Sequence, residues 1–239
     1  MKGRFALATD PGLVRDHNED AAAAHPELGL FLVADGMGGH VAGEVASRIA
    51  AQTVVDVVGA AKRPRRIVGE MALLGEAIVR AHAAVAKEAA ERSLHGMGTT
   101  LTVLRVRGRT ATIAHVGDSR AFLVHGGQML QLTQDHTLVA LLVESGALDP
   151  KEAAGHPERH VLTQAVGPPA EIDPELSQAQ IPRGARLLLT SDGLHDVVPE
   201  AEIAALASRR DLDAAVSALI ARARELGGPD NITALLVAP

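Results

Sequence analysis

The sequence predicts an α/β fold: an antiparallel or mixed sheet sandwich carrying amphipathic helices, in a single domain over residues 1–239. Three observations support this. Apolar stretches that read as strands alternate with amphipathic stretches that read as helices. No linker, repeat or low-complexity run divides the 239 residues, a length long for one domain but within reach of one fold. Acidic motifs are scattered from residue 10 to residue 230, and only a folded domain brings such distant side chains together.

Composition narrows the classes. The formal charge of −6 is mildly acidic, which fits an enzyme better than a nucleic-acid-binding module. The chain has no cysteine, so no disulfide framework is possible, and a bacterial cytoplasmic location is expected. No apolar run is long enough to cross a membrane, so no membrane partner is expected. There is no tryptophan or tyrosine, so the core is expected to pack on branched aliphatic side chains rather than stacked aromatics.

The first motif is Thr9-Asp10-Pro11-Gly12-Leu13-Val14-Arg15-Asp16-His17-Asn18-Glu19-Asp20. An apolar strand runs into a polar turn, and Pro11 sets the backbone direction just after Asp10. A plain solvated turn would need none of these residue types. Arg15 lies three residues before Asn18, Glu19 and Asp20, and this grouping reads as a cradle orienting a phosphoryl group by charge and hydrogen bonding.

The second motif, Asp35-Gly36-Met37-Gly38-Gly39-His40-Val41-Ala42-Gly43-Glu44-Val45-Ala46-Ser47-Arg48-Ile49-Ala50, resembles the glycine-rich metal-binding segment of the bacterial type-2C (PPM) serine/threonine protein phosphatases. Its glycines let backbone approach a metal site without side-chain clash. The resemblance implies a divalent ion, Mn2+ or Mg2+, held through carboxylate and backbone oxygen. His40 is a poor donor for such hard ions, so a positioning role or minor contact is expected of it.

The third motif, Ser191-Asp192-Gly193-Leu194-His195-Asp196, places two carboxylates four residues apart, able to converge on the same site as Asp35. The fourth, Pro229-Asp230-Asn231-Ile232-Thr233, sets a proline just ahead of a further carboxylate. Between them, residues 134–166 are rich in small residues and read as a flexible connecting segment, with a flap that gates access as its functional form.

Asp35, Asp192, Asp196 and Asp230 are therefore the expected catalytic and metal-binding residues. His40 is an accessory ligand, and Arg15, Asn18, Glu19 and Asp20 form the phosphate cradle. The implied activity is metal-dependent removal of phosphate from phosphoserine or phosphothreonine on a protein substrate, with two ions sharing the chemistry. The other class consistent with the same residues is an inert regulatory scaffold that keeps the fold and its metal. No nucleic-acid partner is expected.

Overall fold

A computed structural model describes residues 4–38, 41–61, 67–168 and 171–239. The strands in chain order are β1 (Arg4–Asp10), β2 (Ala21–His25), β3 (Leu30–Ala34), β4 (Gly36–Met37), β5 (Gly98–Thr99), β6 (Leu101–Arg107), β7 (Thr110–Val116), β8 (Arg120–His125), β9 (Gln128–Gln131), β10 (Glu175–Gln180), β11 (Arg186–Thr190) and β12 (Ile232–Ala238). The helices are α1 (Val41–Ala60), α2 (Ile67–Glu91), α3 (Leu138–Glu144), α4 (Pro150–Ala153), α5 (Asp192–His195), α6 (Glu200–Ala207) and α7 (Leu212–Glu225).

Two five-stranded sheets stack face to face, ordered β1-β12-β11-β8-β9 and β10-β7-β6-β3-β2. The expected sandwich is thus present, and every strand pairing among the described residues is antiparallel. In the central strands the twofold alternation serves two cores at once. Phe31 and Val33 of β3 meet Leu187 and Leu189 of β11 between the sheets. Leu30 and Leu32 point the other way, onto Ala46, Val54, Leu74 and Ile78 of α1 and α2. Leu188 and Leu236 leave the second sheet toward Val216 and Leu219 of α7. Strands buried on both faces read as continuous apolar runs, as in Leu30-Phe31-Leu32-Val33-Ala34. The core is aliphatic, as composition predicted: Phe31 and Phe122 are its only buried aromatics, while Phe5 is 37% exposed.

This topology decides where the acidic motifs land. β3 and β7 both run antiparallel to β6, so they point the same way and end at one edge of their sheet. Asp35 follows β3 and Asp118 follows β7. β2 starts opposite the end of β3, with Ala21 facing Ala34, which puts Asp20 at that edge too. In the other sheet β11 and β12 are antiparallel, so the end of β11 (before Asp192) lies beside the start of β12 (after Asp230).

Residues 134–166, expected to be a flexible connecting segment, carry regular structure. They contain α3 and α4, each with a side-chain cap: Thr137 Oγ1 accepts from the Ala140 N–H at 3.2 Å, and Asp149 Oδ1 accepts from the Lys151 N–H at 2.9 Å. A bridge between Thr137 and Leu162 closes the segment at its base, and Val139 is buried. Small-residue content suggested flexibility, but Thr137 and the Asp149-Pro150 pair are helix-start signals, and they prevailed.

Leu188 is fully buried beneath α7. Replacing it with alanine is expected to cost about 2–5 kcal/mol of stability. The measurement is urea unfolding followed by far-UV circular dichroism, since the chain has no tryptophan or tyrosine to report by fluorescence.

Candidate metal centre

The strand ends open onto a cleft of about 890 Å³, whose lining includes Arg15, Glu19, Asp35, Asp118, Asp192 and Asp230. Asp35 sits on its floor with its backbone locked on both sides. Its N–H donates to Thr100 Oγ1 at 2.9 Å, and its carbonyl accepts from Thr99 Oγ1 and from the Thr100 N–H, both at 2.8 Å. The next residue must be glycine: a Cβ at Gly36 would stand 2.2 Å from the Gly43 carbonyl oxygen and 2.5 Å from that of Glu19. This backbone crowding, where α1 meets the β3 end, is what the glycine-rich motif accommodates.

Asp20 lies below the floor, buried, with Oδ2 accepting from Ser191 Oγ at 2.7 Å and Thr233 Oγ1 at 2.6 Å. Its other oxygen, Oδ1, is buried with no hydrogen-bond partner. Ser191 precedes Asp192, so one carboxylate fastens the β11 end to the β12 start. Asp192 begins α5, its Oδ1 is likewise buried without a hydrogen-bond partner, and its side chain lines the same cleft as Asp35. Carboxyl groups crowded in this way favour bound protons, and a cation can take a proton's place.

Asp118 is held from behind. Gly117 has φ +109°, and a Cβ there would fall 2.6 Å from Thr100 Cβ. Its N–H donates to His136 Nδ1 at 3.2 Å, and its carbonyl accepts from the His136 N–H at 2.7 Å. His136 therefore clamps the residue before Asp118 through two bonds. Its own carbonyl accepts from the Thr163 N–H at 2.8 Å, so the clamp reaches the far end of the α3–α4 segment.

The opposite wall is the polar loop after β1. Asn231 organises it: Nδ2 donates to the carbonyls of Pro11 (3.0 Å) and His17 (2.8 Å), and Oδ1 accepts from the Glu19 N–H at 2.7 Å. Arg15 Nη2 donates to Asp230 Oδ2 at 2.6 Å, while Asp230 Oδ1 accepts from the Asn231 N–H at 2.8 Å.

Crowding and burial push the carboxyl groups toward their neutral forms. Asp20 rises to about 7, chiefly through burial, opposed by its bonds from Thr233 and Ser191. Asp118 rises to about 8 through burial and then the charge of Asp192. Asp192 rises to about 6 through burial and then Asp230. Asp35 is raised well above the ordinary carboxylate range by burial, with Asp20, Asp192 and Asp118 adding to it. A divalent ion reverses this pressure by supplying the missing positive charge. The only Arg or Lys lining the cleft among the described residues is Arg15, which is bonded to Asp230.

The structure sorts the expected residues. Asp35, Asp192 and Asp230 share the cleft. Asp196 is exposed, caps α5, and lies outside the lining, 3.6 Å from His160. His40 lies outside the described residues. The four-residue cradle does not form as one. Arg15 and Glu19 line the cleft, but Asn18 Nδ2 donates to Thr9 Oγ1 at 2.8 Å while its Oδ1 accepts from the Asp20 N–H at 3.1 Å. Asp20 is underneath, and the carboxylates of Glu19 and Asp20 repel rather than orient an anion. Asp118, Asn231, Thr100 and His160 were not anticipated. The signal for Asp118 was available in part: it comes two residues after a strand-like, β-branched stretch, 110–116, much as Asp35 follows 30–34.

The family described as Protein phosphatase 2C matches residues 14–236. The chain belongs to this family. Among its protein phosphatase 2C relatives, the serine/threonine protein phosphatase PstP of Mycobacterium tuberculosis is 37% identical over 98% of this chain. The match spans 44% of that relative's length. The serine/threonine phosphatase stp of Listeria innocua is 37% identical, the match covering 96% of this chain and 93% of the relative. The crystal structure of the M. tuberculosis phosphatase PstP/Ppp superposes with a TM-score of 0.90 at 36% identity, covering 99% of this chain and 98% of that one. A PstP catalytic domain crystallised with 2 manganese ions gives 0.87 at 34% identity, covering 99% of this chain and 97% of that one.

The carboxyl shifts have a measurable consequence for the metal-depleted protein. Unfolded aspartates ionise near ~3.9, whereas folded Asp20 and Asp118 hold their protons to about 7 and about 8. The native state thus binds more protons across that window, and its stability falls as pH rises through the folded values. Buried His115, His136 and His195 are shifted the other way, but their unfolded forms have titrated by about pH 6.5. Melting temperature without metal is therefore expected to drop between about pH 6.5 and 8. Added Mn2+ is expected to remove the drop; a flat profile without metal would contradict the assignment.

Proposed function

We propose that this chain is a divalent-metal-dependent protein phosphatase that releases phosphate from phosphoserine or phosphothreonine of protein substrates. The observation that carries the reading is the convergence of Asp35, Asp118, Asp192 and Asp230 on one cleft, with an orphaned Asp192 oxygen and too little positive charge. These residues are the proposed ligands of Mn2+ or Mg2+, oxygen donors of the kind such ions take. Asp196 and His40 belong to the periphery of this set. Held by these carboxylates, a pair of ions would supply Lewis acidity toward phosphoryl oxygens and a more acidic water as nucleophile.

The protein's own groups do the positioning. Thr99 and Thr100 hold the Asp35 backbone, Asp20 holds Ser191 and thereby Asp192, and His136 holds the turn before Asp118. Arg15 gives one N–H to Asp230; a guanidinium has five, so others remain for phosphate oxygens at the mouth of the cleft. Asn231 keeps the Arg15 loop against the metal side. An inert scaffold finds no support, since the carboxylates are complete and the reported relatives carry the name phosphatase. Residues 1–239 are taken as a single phosphatase domain. The absence of cysteine favours the cytoplasm, and no helix among the described residues is long and apolar enough to cross a membrane.

Protein stripped by a chelator is expected to be inactive on a phosphothreonine peptide and to recover with Mn2+. Asp35→Asn should lower kcat/KM by a factor on the order of 10² or more while the protein stays folded. Equal turnover with and without metal would overturn the reading.

A further inference from the structure

We propose that His115, His136 and Glu175 form a separate, inhibitory site for a nitrogen-preferring divalent ion, between the sheets behind Asp118. None of the three lines the cleft. One ligand atom of each lies within 4.8 Å of those of the other two. The pairing of β7 with β10 sets His115 directly opposite Glu175, on the face of β7 whose Ala111 and Ile113 look between the sheets. The His136 ring lies beside them, its centroid 5.0 Å from that of His115. β10 is an edge strand, and Glu175 and His136 are partly exposed, so an ion has a way in. An ion such as Zn2+ binds nitrogen and oxygen at about 2.0–2.2 Å, which puts its tetrahedral donors ~3.4 Å apart, and small side-chain rotations close the set to that spacing.

His115 is prepared for this role. Thr102 Oγ1 lies 2.9 Å from both the Ser119 carbonyl and His115 Nδ1. The hydroxyl has one hydrogen and the carbonyl can only accept, so both contacts are satisfied when the hydroxyl donates to Ser119 and Nδ1–H donates to Thr102. That tautomer leaves a lone pair on Nε2, which is buried and has no hydrogen-bond partner. A histidine fixed through Nδ1–H with Nε2 open is the usual arrangement of a metal ligand. Burial, and then His136, push His115 down to about 3 against the carbonyls of Gly117 and Gln134, so the ring stays neutral, the form that binds metals. Glu175 brings the negative charge. Its Oε2 accepts from the Gln134 N–H at 2.8 Å, and burial raises its pKa, a pressure that a cation relieves.

The third ligand makes the site inhibitory. His136 Nδ1 accepts from the Gly117 N–H at 3.2 Å, so the neutral ring carries its hydrogen on Nε2. Coordination through Nε2 moves that hydrogen to Nδ1, where it meets the Gly117 N–H as donor against donor. The proton count is unchanged, but the side-chain half of the clamp is lost. Only the bond from the His136 backbone N–H to the Gly117 carbonyl then remains of it, and the turn before Asp118 loosens. Two imidazoles and a carboxylate favour Zn2+ over Mg2+, which takes oxygen ligands. Ion binding stands on these residues alone; the inhibitory effect rests on the phosphatase reading.

The test uses the whole chain, labelled with 15N histidine, in excess Mg2+ with Zn2+ as the probe. The ring signals are identified by their loss in His115→Gln and His136→Gln. Both Nε2 signals are expected to take on the shift of coordination together, with saturation. Glu175→Gln keeps an acceptor for the Gln134 N–H and is expected to weaken that transition at least about tenfold. Should His115→Gln not fold, the paired change and its weakening in Glu175→Gln carry the test. On a phosphothreonine peptide with excess Mn2+, Zn2+ is expected to lower kcat, and Glu175→Gln to need at least about tenfold more Zn2+ for the same loss. If Zn2+ binds while both Nε2 signals stay in place, or binds Glu175→Gln equally, the site is overturned and the carboxylate centre stands. If both signals move and kcat does not, the inhibitory role is overturned. If no metal supports turnover and both signals still move, the phosphatase reading falls and the ion site stands.

Discussion

Asp20, Asp35, Asp118 and Asp192 are brought close enough, and dried enough, to raise one another's pKa. Two like charges 4 Å apart at an effective dielectric near 20 repel by about 4 kcal/mol, as much as a good core contact contributes. A fold that keeps such a cluster must hold each member rigidly and then neutralise it. Protonation is the solution without metal; a divalent ion is the other. Much of the surrounding structure serves the holding: hydroxyls of Ser191 and Thr233 on Asp20, of Thr99 and Thr100 on the Asp35 backbone, and the His136 clamp behind Asp118.

The holding groups sit on the most rigid elements available. Thr100 and Ser191 abut strands, Thr233 lies within β12, and all three are buried. The three apolar cores on either side of and between the sheets fix strand directions. Strand directions in turn put Asp35, Asp118, Asp192 and Asp230 around one cleft. The cleft is built from strand ends because antiparallel neighbours leave their alternate termini together, and this follows from the pairing order rather than from any local preference.

The α3–α4 segment combines helical structure with exposure. It is closed at its base by Thr137 and Leu162 and connected through His136 to Gly117. The same segment therefore reaches the cleft twice, once behind Asp118 and once through His160, which lines it. A connection of this kind makes the segment part of the site rather than a cover laid over it.

The sequence by itself determined the fold class, the aliphatic core and the acidic motifs that carry the family resemblance. These are legible because strand and helix periodicities are local, and because glycine beside aspartate at a strand end is a local signature. It also marked Asp35, Asp192 and Asp230, three carboxylates that do share the cleft. It misjudged the cradle: Asn18 turns to Thr9 and Asp20 drops beneath the floor, since neighbours in sequence need not face the same way when a loop bends. It passed over Asp118 and His160, and read 134–166 as loose despite the helix caps at Thr137 and Asp149. Only the tertiary structure could decide those points. Which carboxylate meets which is set by sheet order and by contacts more than a hundred residues apart, such as Ser191 with Asp20, and no local pattern encodes them.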